Sequence, residues 1–381
     1  MRLRIPSYYR KFRCLAGSCR HSCCIGWEID IDEDTFDYYR EIGGDFGDRL
    51  KRHMKQEEVN SFTLTEEGRC PFLNRENLCD ICIELGEEAL SEVCTEYPRF
   101  VTEYADVREK SMALSCEEVG RLIFESREPF SYEEIKQTDY EAFSEDFDPE
   151  APEEWDAFSP DDPAWYEPIE KARDAAIGLL QKRNLTIAQR ISVLLGFGKA
   201  VQDKIRLEQP GEILQVIVDF REKLEQGSLE TYSLDPPEIL GGFEERFRIY
   251  EELEVLDEEW RETLAHVTAC FSGPEKEKRY ADWHRRFEEF YRKREYEYEH
   301  LLVYFVFRYT MQTVYDCNFM SHMCYAAASL LMIQDMDVVR FMDQGGRFTL
   351  EDRIDLARIY SREVEHSEEN LELLQEAFQF R

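Results

Sequence analysis

The chain has 381 residues, 12 cysteines and a formal net charge of −35. A hydrophobic fraction of 43% excludes a globally disordered chain, and such acidity repels phosphate backbones and argues against a nucleic-acid partner. The longest apolar runs, Leu301–Phe307 and Met323–Ile333, fall short of the roughly 18 residues that span a bilayer, so no membrane residence is expected.

The basic N-terminus, MRLRIPSYYRKFRC, has no apolar segment behind it that would make a secretory signal. The sequence therefore predicts a soluble, cytoplasmic protein. Strand-like alternation follows at Trp27–Ile31 and again at Ser61–Thr65. Between them, Asp34 or Thr35 can cap a helix through DTFDYYREI that Gly43-Gly44 would stop. A short helix fits GEEALSEVC and must end before Tyr97-Pro98, because the residue preceding proline disfavours helix. Arg99 to Met112, broken near Ala105-Asp106, reads as a hairpin.

Residues 131–168 carry 14 Asp or Glu against one Lys, with Pro149, Pro152, Pro160 and Pro163 among them. Such a segment repels itself and buries little, so it reads as a connector. Its rings (Tyr132, Tyr140, Phe143, Phe147, Trp155, Phe158, Trp165, Tyr166) suggest anchoring along a domain surface. Beyond it the pattern is helical. Ile169, Ala172, Ala176, Leu179 and Leu180 follow i, i+3, i+4 spacing up to Asn184. Thr186 with Gln189 forms a capping box, Thr349 caps the penultimate helix, and Ser367 begins the last. His300 and His366 stand in charged contexts and read as surface residues. The expected fold is α-rich: a small irregular α+β cysteine and metal module (1–130), an acidic connector (131–168) and an all-α helical domain (169–381).

Nine of the cysteines lie between 14 and 116, and only Cys270, Cys317 and Cys324 lie beyond. The last three sit in helical patterns and read as small buried hydrophobes. The nine are spaced like ligands: Cys14-x4-Cys19-x3-Cys23-Cys24, then Cys70-Pro-Phe-Leu, Cys79-x2-Cys82 and Cys94-x2-Tyr97-Pro98-Arg99, with Cys116 last. In a reducing compartment such thiols read first as metal or iron–sulfur ligands, and each centre takes about four. Residues 1–27 hold six Arg or Lys and no Asp or Glu. Cations there lower thiol pKa values and offset a tetrathiolate's charge, unless they simply form a solvated face. Count alone does not separate zinc from iron–sulfur. The ordinary cysteine signature of radical S-adenosylmethionine enzymes is absent, since Gly26 stands where its third cysteine belongs.

Together these blocks, with the Trp27–Asp32 run, Gly86-Glu87-x2-Leu90 and Leu114-Ser115-Cys116-Glu117, resemble the flagellin lysine N-methylase family over residues 8–125. The cysteine core is also similar to a broader family of zinc- or iron-chelating proteins. Glu299–Phe305 and Ser361–Asn370 look like the methylase family's C-terminal half. The resemblance implies a protein-lysine N-methyltransferase that uses S-adenosylmethionine and a 4Fe–4S cluster, with flagellin as substrate. It carries the metal-ligand role to Cys14, Cys19, Cys23, Cys24, Cys70, Cys79, Cys94 and Cys116, and leaves Cys82 as an addition of this sequence. Eight candidates exceed the four that one cluster needs, so either two sites exist or several thiols are structural.

No Gly-x-Gly-x-Gly follows a strand, so the usual nucleotide-binding turn is missing. Trp27, beside the cysteine pair, and Tyr97 and Arg99, in the Cys94 block, are the catalytic candidates. Arg308 interrupts an apolar run, and is either salt-bridged or a ligand for a cofactor carboxylate. Tyr304, Phe305, Phe307 and Tyr309 can face a sulfonium through their rings, or form core. The competing functional reading is a non-catalytic zinc- or iron-chelating binding module or a redox sensor.

Overall fold

The computed structural model describes residues 2–136 and 160–379. Tyr140, Phe143, Phe147, Trp155 and Phe158 of the acidic segment lie outside the described residues. Among the described residues six strands occur: β1 (Arg2–Pro6), β2 (Met54–Lys55), β3 (Ser61–Phe62), β4 (Arg99–Tyr104), β5 (Val107–Met112) and β6 (Tyr132–Lys136). β4 and β5 are the expected hairpin, turning at Ala105, whose φ of 48° lies in the left-handed region. They join a four-stranded sheet in the order β4-β5-β1-β6, with β1 parallel to β5 and antiparallel to β6. The expected strand at Trp27–Ile31 reduces to one bridge, Asp30 with Ser61.

β1 is a strand that the basic pattern conceals. Its Arg4 is buried, because it meets Glu109 on β5 at 3.4 Å, Glu134 on β6 at 2.9 Å and Glu170 at 2.7 Å. Glu109 is also held by Arg173, which is wholly buried in helix Pro163–Leu180. The guanidinium groups keep the Glu109 carboxyl below the usual carboxylate range against the opposing cost of burial. This ion network pins the sheet to the helices. The acidic segment is correspondingly shorter than its composition suggests. β6 occupies its first residues, and Asp162 caps a helix that starts at Pro163 by accepting from the Ala164 amide at 2.8 Å. Trp165 is 1% exposed and donates from its indole to the Val314 carbonyl.

Helices Glu295–Tyr309 and Phe319–Asp343 form the centre of the C-terminal region, apolar on nearly every face. Around them pack Pro163–Leu180, Ile187–Arg206, Leu350–Val364 and Glu368–Gln379. The Thr186–Gln189 and Thr349–Asp352 boxes cap two of these. Gly196 permits one close approach, since a Cβ there would stand 1.8 Å from the Tyr232 carbonyl oxygen. No described helix is long and apolar enough to cross a membrane.

Two apolar cores result. The smaller contains Ile29, Ile31, Phe36, Tyr39, Leu50, Phe62, Cys70, Phe72, Ile81 and Ala89. The larger takes in the helices but also Phe12, Tyr104, Val107, Met112, Leu114, Val119, Ile123 and Phe124. Packing therefore runs continuously across residue 130, and the sheet with helix Glu117–Phe124 is built onto the helical body. The architecture is an irregular α+β N-terminal region followed by helices.

Candidate functional site

The cysteine loop is shaped by backbone pairing rather than by regular structure. The Cys70 amide donates to the Cys24 carbonyl at 2.8 Å and Gly26 donates to Gly68 at 2.7 Å. A bridge between Leu73 and Cys79 folds the second block back, and Cys79 then caps helix Asp80–Leu85. Cys94 sits on the single turn Glu92–Glu96, which the Asp32 carboxylate anchors by accepting from the Glu92 amide. Asp32 is also the cap of helix Glu33–Glu41, in place of Asp34 or Thr35. Cys24, Cys79 and Cys94 pack on the smaller core around Cys70.

Burial pushes the Cys70 thiol up to about 12 and the Cys94 thiol to about 11. The Cys116 thiol also rises to about 12 for the same reason. Cys24 moves the other way, to about 7, because its sulfur is hydrogen-bonded by Cys23 and Ser22 and lies near Arg69. A group of neutral buried thiols becomes a strong ligand set only when a cation replaces its protons. The donor chemistry thus fits a thiophilic metal. No three of the nine sulfurs are mutually within 4.8 Å; among the described residues the group that compact is His266, Cys270 and Asp343. There His266 Nε2 meets Asp343 at 2.8 Å and Cys270 at 3.9 Å, in solvent.

Next to the cysteines, the last helices contribute a second cluster. His366 is largely enclosed rather than a surface residue. Its Nε2 is 2.8 Å from Ser115 Oγ, which is 3.1 Å from the Tyr97 hydroxyl. The imidazole lies 4.8 Å from the Trp27 ring and 5.8 Å from Phe100. Burial, with Arg308 and Arg362 nearby, lowers its pKa to about 3, so the ring is neutral at physiological pH. Beside it, one oxygen of the buried Glu365 accepts from Tyr304 at 2.8 Å, from Tyr309 at 2.6 Å and from Arg308. Its other oxygen, Oε1, has no hydrogen-bond partner among the described residues, an arrangement that is costly unless something else fills it.

Arg362 joins the two clusters. It donates to the Ile25 carbonyl at 2.9 Å, pairs with Asp257 at 3.1 Å and lies over the Trp27 ring at 4.5 Å. Gly26 has a φ of 85°, in the region that favours glycine, and its Cα faces the Arg362 guanidinium. Trp27, Tyr97 and Arg308 are therefore brought to one place, around His366. Arg99 is not: it bonds the Thr95 carbonyl and covers the Phe12 ring. Arg308 is salt-bridged to Glu365 and stacks 3.5 Å from the Phe100 centroid. Phe305 and Phe307 are core, whereas the Tyr304 and Tyr309 hydroxyls reach Glu365. His300 is another correction. It is buried, with its two nitrogens at the Ile123 and Glu128 carbonyls. No local signal marked His366, since its partner Ser115 is 251 residues away in sequence.

The profile of the FliB lysine N-methylase C-terminal domain matches residues 173–381, the part that supplies Arg308, Arg362, Glu365 and His366. The lysine-N-methylase of Salmonella typhimurium is 31% identical over 147 residues, 35% of this chain and 36% of that protein. The flagellar biosynthetic protein FliU of Salmonella muenchen is 30% identical over 142 residues, 34% of this chain and 82% of that protein. The match thus spans about a third of the lysine-N-methylase's own length. No solved structure matches the chain. With more than half of its length matched by the family profile, the chain belongs to the FliB lysine N-methylase family.

Proposed function

We propose that the protein transfers methyl groups from S-adenosylmethionine to lysine side chains of flagellin, and that its cysteines hold a 4Fe–4S cluster. The observation that carries this reading is the enclosed cluster of Tyr97, Ser115, His366 and Glu365 beside the cysteine loop, in a chain of this family. A lysine ammonium must lose a proton before its nitrogen can accept a methyl group. His366, neutral and linked through Ser115 to Tyr97, positions the amine by hydrogen bonding, and with so low a pKa it leaves the proton to pass to solvent before methyl transfer. Glu365 Oε1 offers an acceptor for an amine N–H. S-adenosylmethionine supplies the methyl group as an electrophilic sulfonium. The open faces for it are few, because Arg362 covers Trp27 and Arg308 covers Phe100. A cluster, when bound, would take the place of the thiol protons and fix the loop that carries Trp27.

Mass spectrometry of flagellin from a strain lacking this gene tests the reading. Methylated lysines should disappear and return on complementation with wild type, and less fully with His366→Ala. Unchanged methylation in the deletion strain refutes the assignment and leaves a metal-binding module.

A further inference from the structure

Helices Glu258–Cys270 and Phe319–Asp343 finish at one point on the surface of the helical body, Cys270 being the last residue of the first and Asp343 the last of the second. His266 stands four residues before Cys270, so the two share a helix face. Its Nε2 lies 2.8 Å from an Asp343 carboxylate oxygen and 3.9 Å from Cys270 Sγ. The three donor atoms all lie within 4.8 Å of one another. His266 and Asp343 keep about half of their side chains in solvent. Cys270, which the helical pattern gave as a small buried hydrophobe, is only half-buried.

This arrangement is not a thiol activated by a base. In a Cys–His–Asp triad the carboxylate holds Nδ1 while the nucleophile meets Nε2, whereas here both converge on Nε2. Convergence on one nitrogen is what chelation needs. Bonds of about 2.0–2.3 Å to nitrogen, oxygen and sulfur place tetrahedral donors about 3.3–3.6 Å apart. Shifts of about an ångström in these partly exposed side chains therefore bring all three onto one ion. Two helix C-termini also meet there, and their last carbonyls carry partial negative charge that favours a cation. The neighbouring guanidinium groups are engaged away from the three donors. Arg340 pairs with Asp352 and Asp355, each at 3.3 Å, and Arg279 donates to the Cys270, Ser272 and Pro274 carbonyls.

We infer that His266, Cys270 and Asp343 form a surface site for one divalent transition-metal ion such as Zn2+, separate from the N-terminal cysteine module. Nitrogen and sulfur donors select such an ion over Mg2+ or Ca2+, which take oxygen ligands. On binding, the Cys270 thiol releases its proton to solvent and its sulfur bonds the ion as thiolate, while the neutral His266 ring keeps its proton on Nδ1. Three protein ligands leave the fourth position to water. The ion ties the end of helix Glu258–Cys270 to that of the central helix Phe319–Asp343, so its binding stabilises the helical body.

Metal uptake is the readout, and methyl transfer plays no part in it. Full-length wild type, His266→Ala, Cys270→Ser and Asp343→Asn are purified anaerobically and titrated with ZnCl2 and, for its spectrum, with CoCl2. The N-terminal cysteines are common to all four proteins, so the differences between them report this site alone. Wild type should take up one ion per chain more than Cys270→Ser, with a thiolate-to-cobalt charge-transfer band that Cys270→Ser lacks. His266→Ala and Asp343→Asn should weaken that uptake by more than about tenfold, since even a ligand's outer partners are worth that much. Zn2+ should raise the melting temperature of the helical body in wild type and not in the variants. Should one variant fail to fold, the other two still decide. Equal stoichiometry and affinity in all four proteins overturn the site. Loss in Cys270→Ser with wild-type binding in both His266→Ala and Asp343→Asn also overturns it, leaving a single thiol that binds metal unaided.

Discussion

His366 has a pKa near 3 where 6.5 is usual, and both the cause and the consequence are local. Enclosure and two guanidinium groups disfavour the imidazolium, so folding favours the neutral ring. The unfolded chain binds this proton below pH 6.5 and the folded chain does not, so stability drops as pH falls from 6.5 towards 3. Resonances of His366 should accordingly show no titration between pH 8 and 5. His366→Ala should lower single-turnover methyl transfer roughly tenfold, about the worth of one positioning hydrogen bond, with folding preserved. Tyr97→Phe should lower it less. Equal rates in all three proteins would remove the hydrogen-bonded line from the account. At the cysteines, Cys79→Ala should lose metal and Cys82→Ala should retain it.

Reading a residue's role from its sequence neighbours succeeded where the partner is local. Thr186 with Gln189, Thr349 with Asp352 and the Ala105 turn are settled within four residues, so their patterns were visible. Arg4, His300 and His366 acquire their roles from partners 100 or more positions away, and a charged sequence context says nothing of such partners. The cysteine blocks stood out by their spacing, but which core each sulfur meets is decided by the fold.

At the scale of elements, the buried ion network is the joint between sheet and helices. Glu109→Gln leaves Arg4 and Arg173 without their shared carboxylate, and truncating one member of a buried pair costs about 3–5 kcal/mol. Denaturant unfolding should show a loss of that size, larger than for a surface pair such as Lys199 with Asp203, worth about 0–1 kcal/mol. Glu363 makes a second joint, accepting from the Leu256 and Asp257 amides at 2.9 and 3.1 Å. Burial raises its carboxyl to about 7 from 4.5, aided by Asp257 and opposed by Arg362 and the two amides. The folded chain therefore holds this proton at pH values where the unfolded chain has lost it. Stability should decline as pH rises from about 4.5 to 7 through this group, and Glu363→Gln should flatten that slope in thermal melts at fixed ionic strength.

Across the whole molecule, metal and charge act on different parts. The smaller core holds ten buried residues, too few to fold long loops without added constraint. Chelation or oxidation of the cysteine ligands should unfold that module at a lower temperature than the helical body, giving two transitions where the loaded protein melts more cooperatively. A formal charge of −35 draws lysine-bearing segments and is screened within about 10 Å at 0.1 M salt. Raising salt should therefore raise the apparent KM for flagellin while changing kcat little.

The most direct test of the account is methyl transfer by the purified chain itself. Reduced, metal-replete protein is incubated anaerobically with monomeric flagellin and S-adenosylmethionine labelled in its methyl group, and the product is sequenced by mass spectrometry. The account predicts label on lysine Nε, reduced in His366→Ala and lost in protein stripped of its metal. Absence of label with metal-replete, folded protein, or undiminished transfer by the metal-free chain, would contradict it.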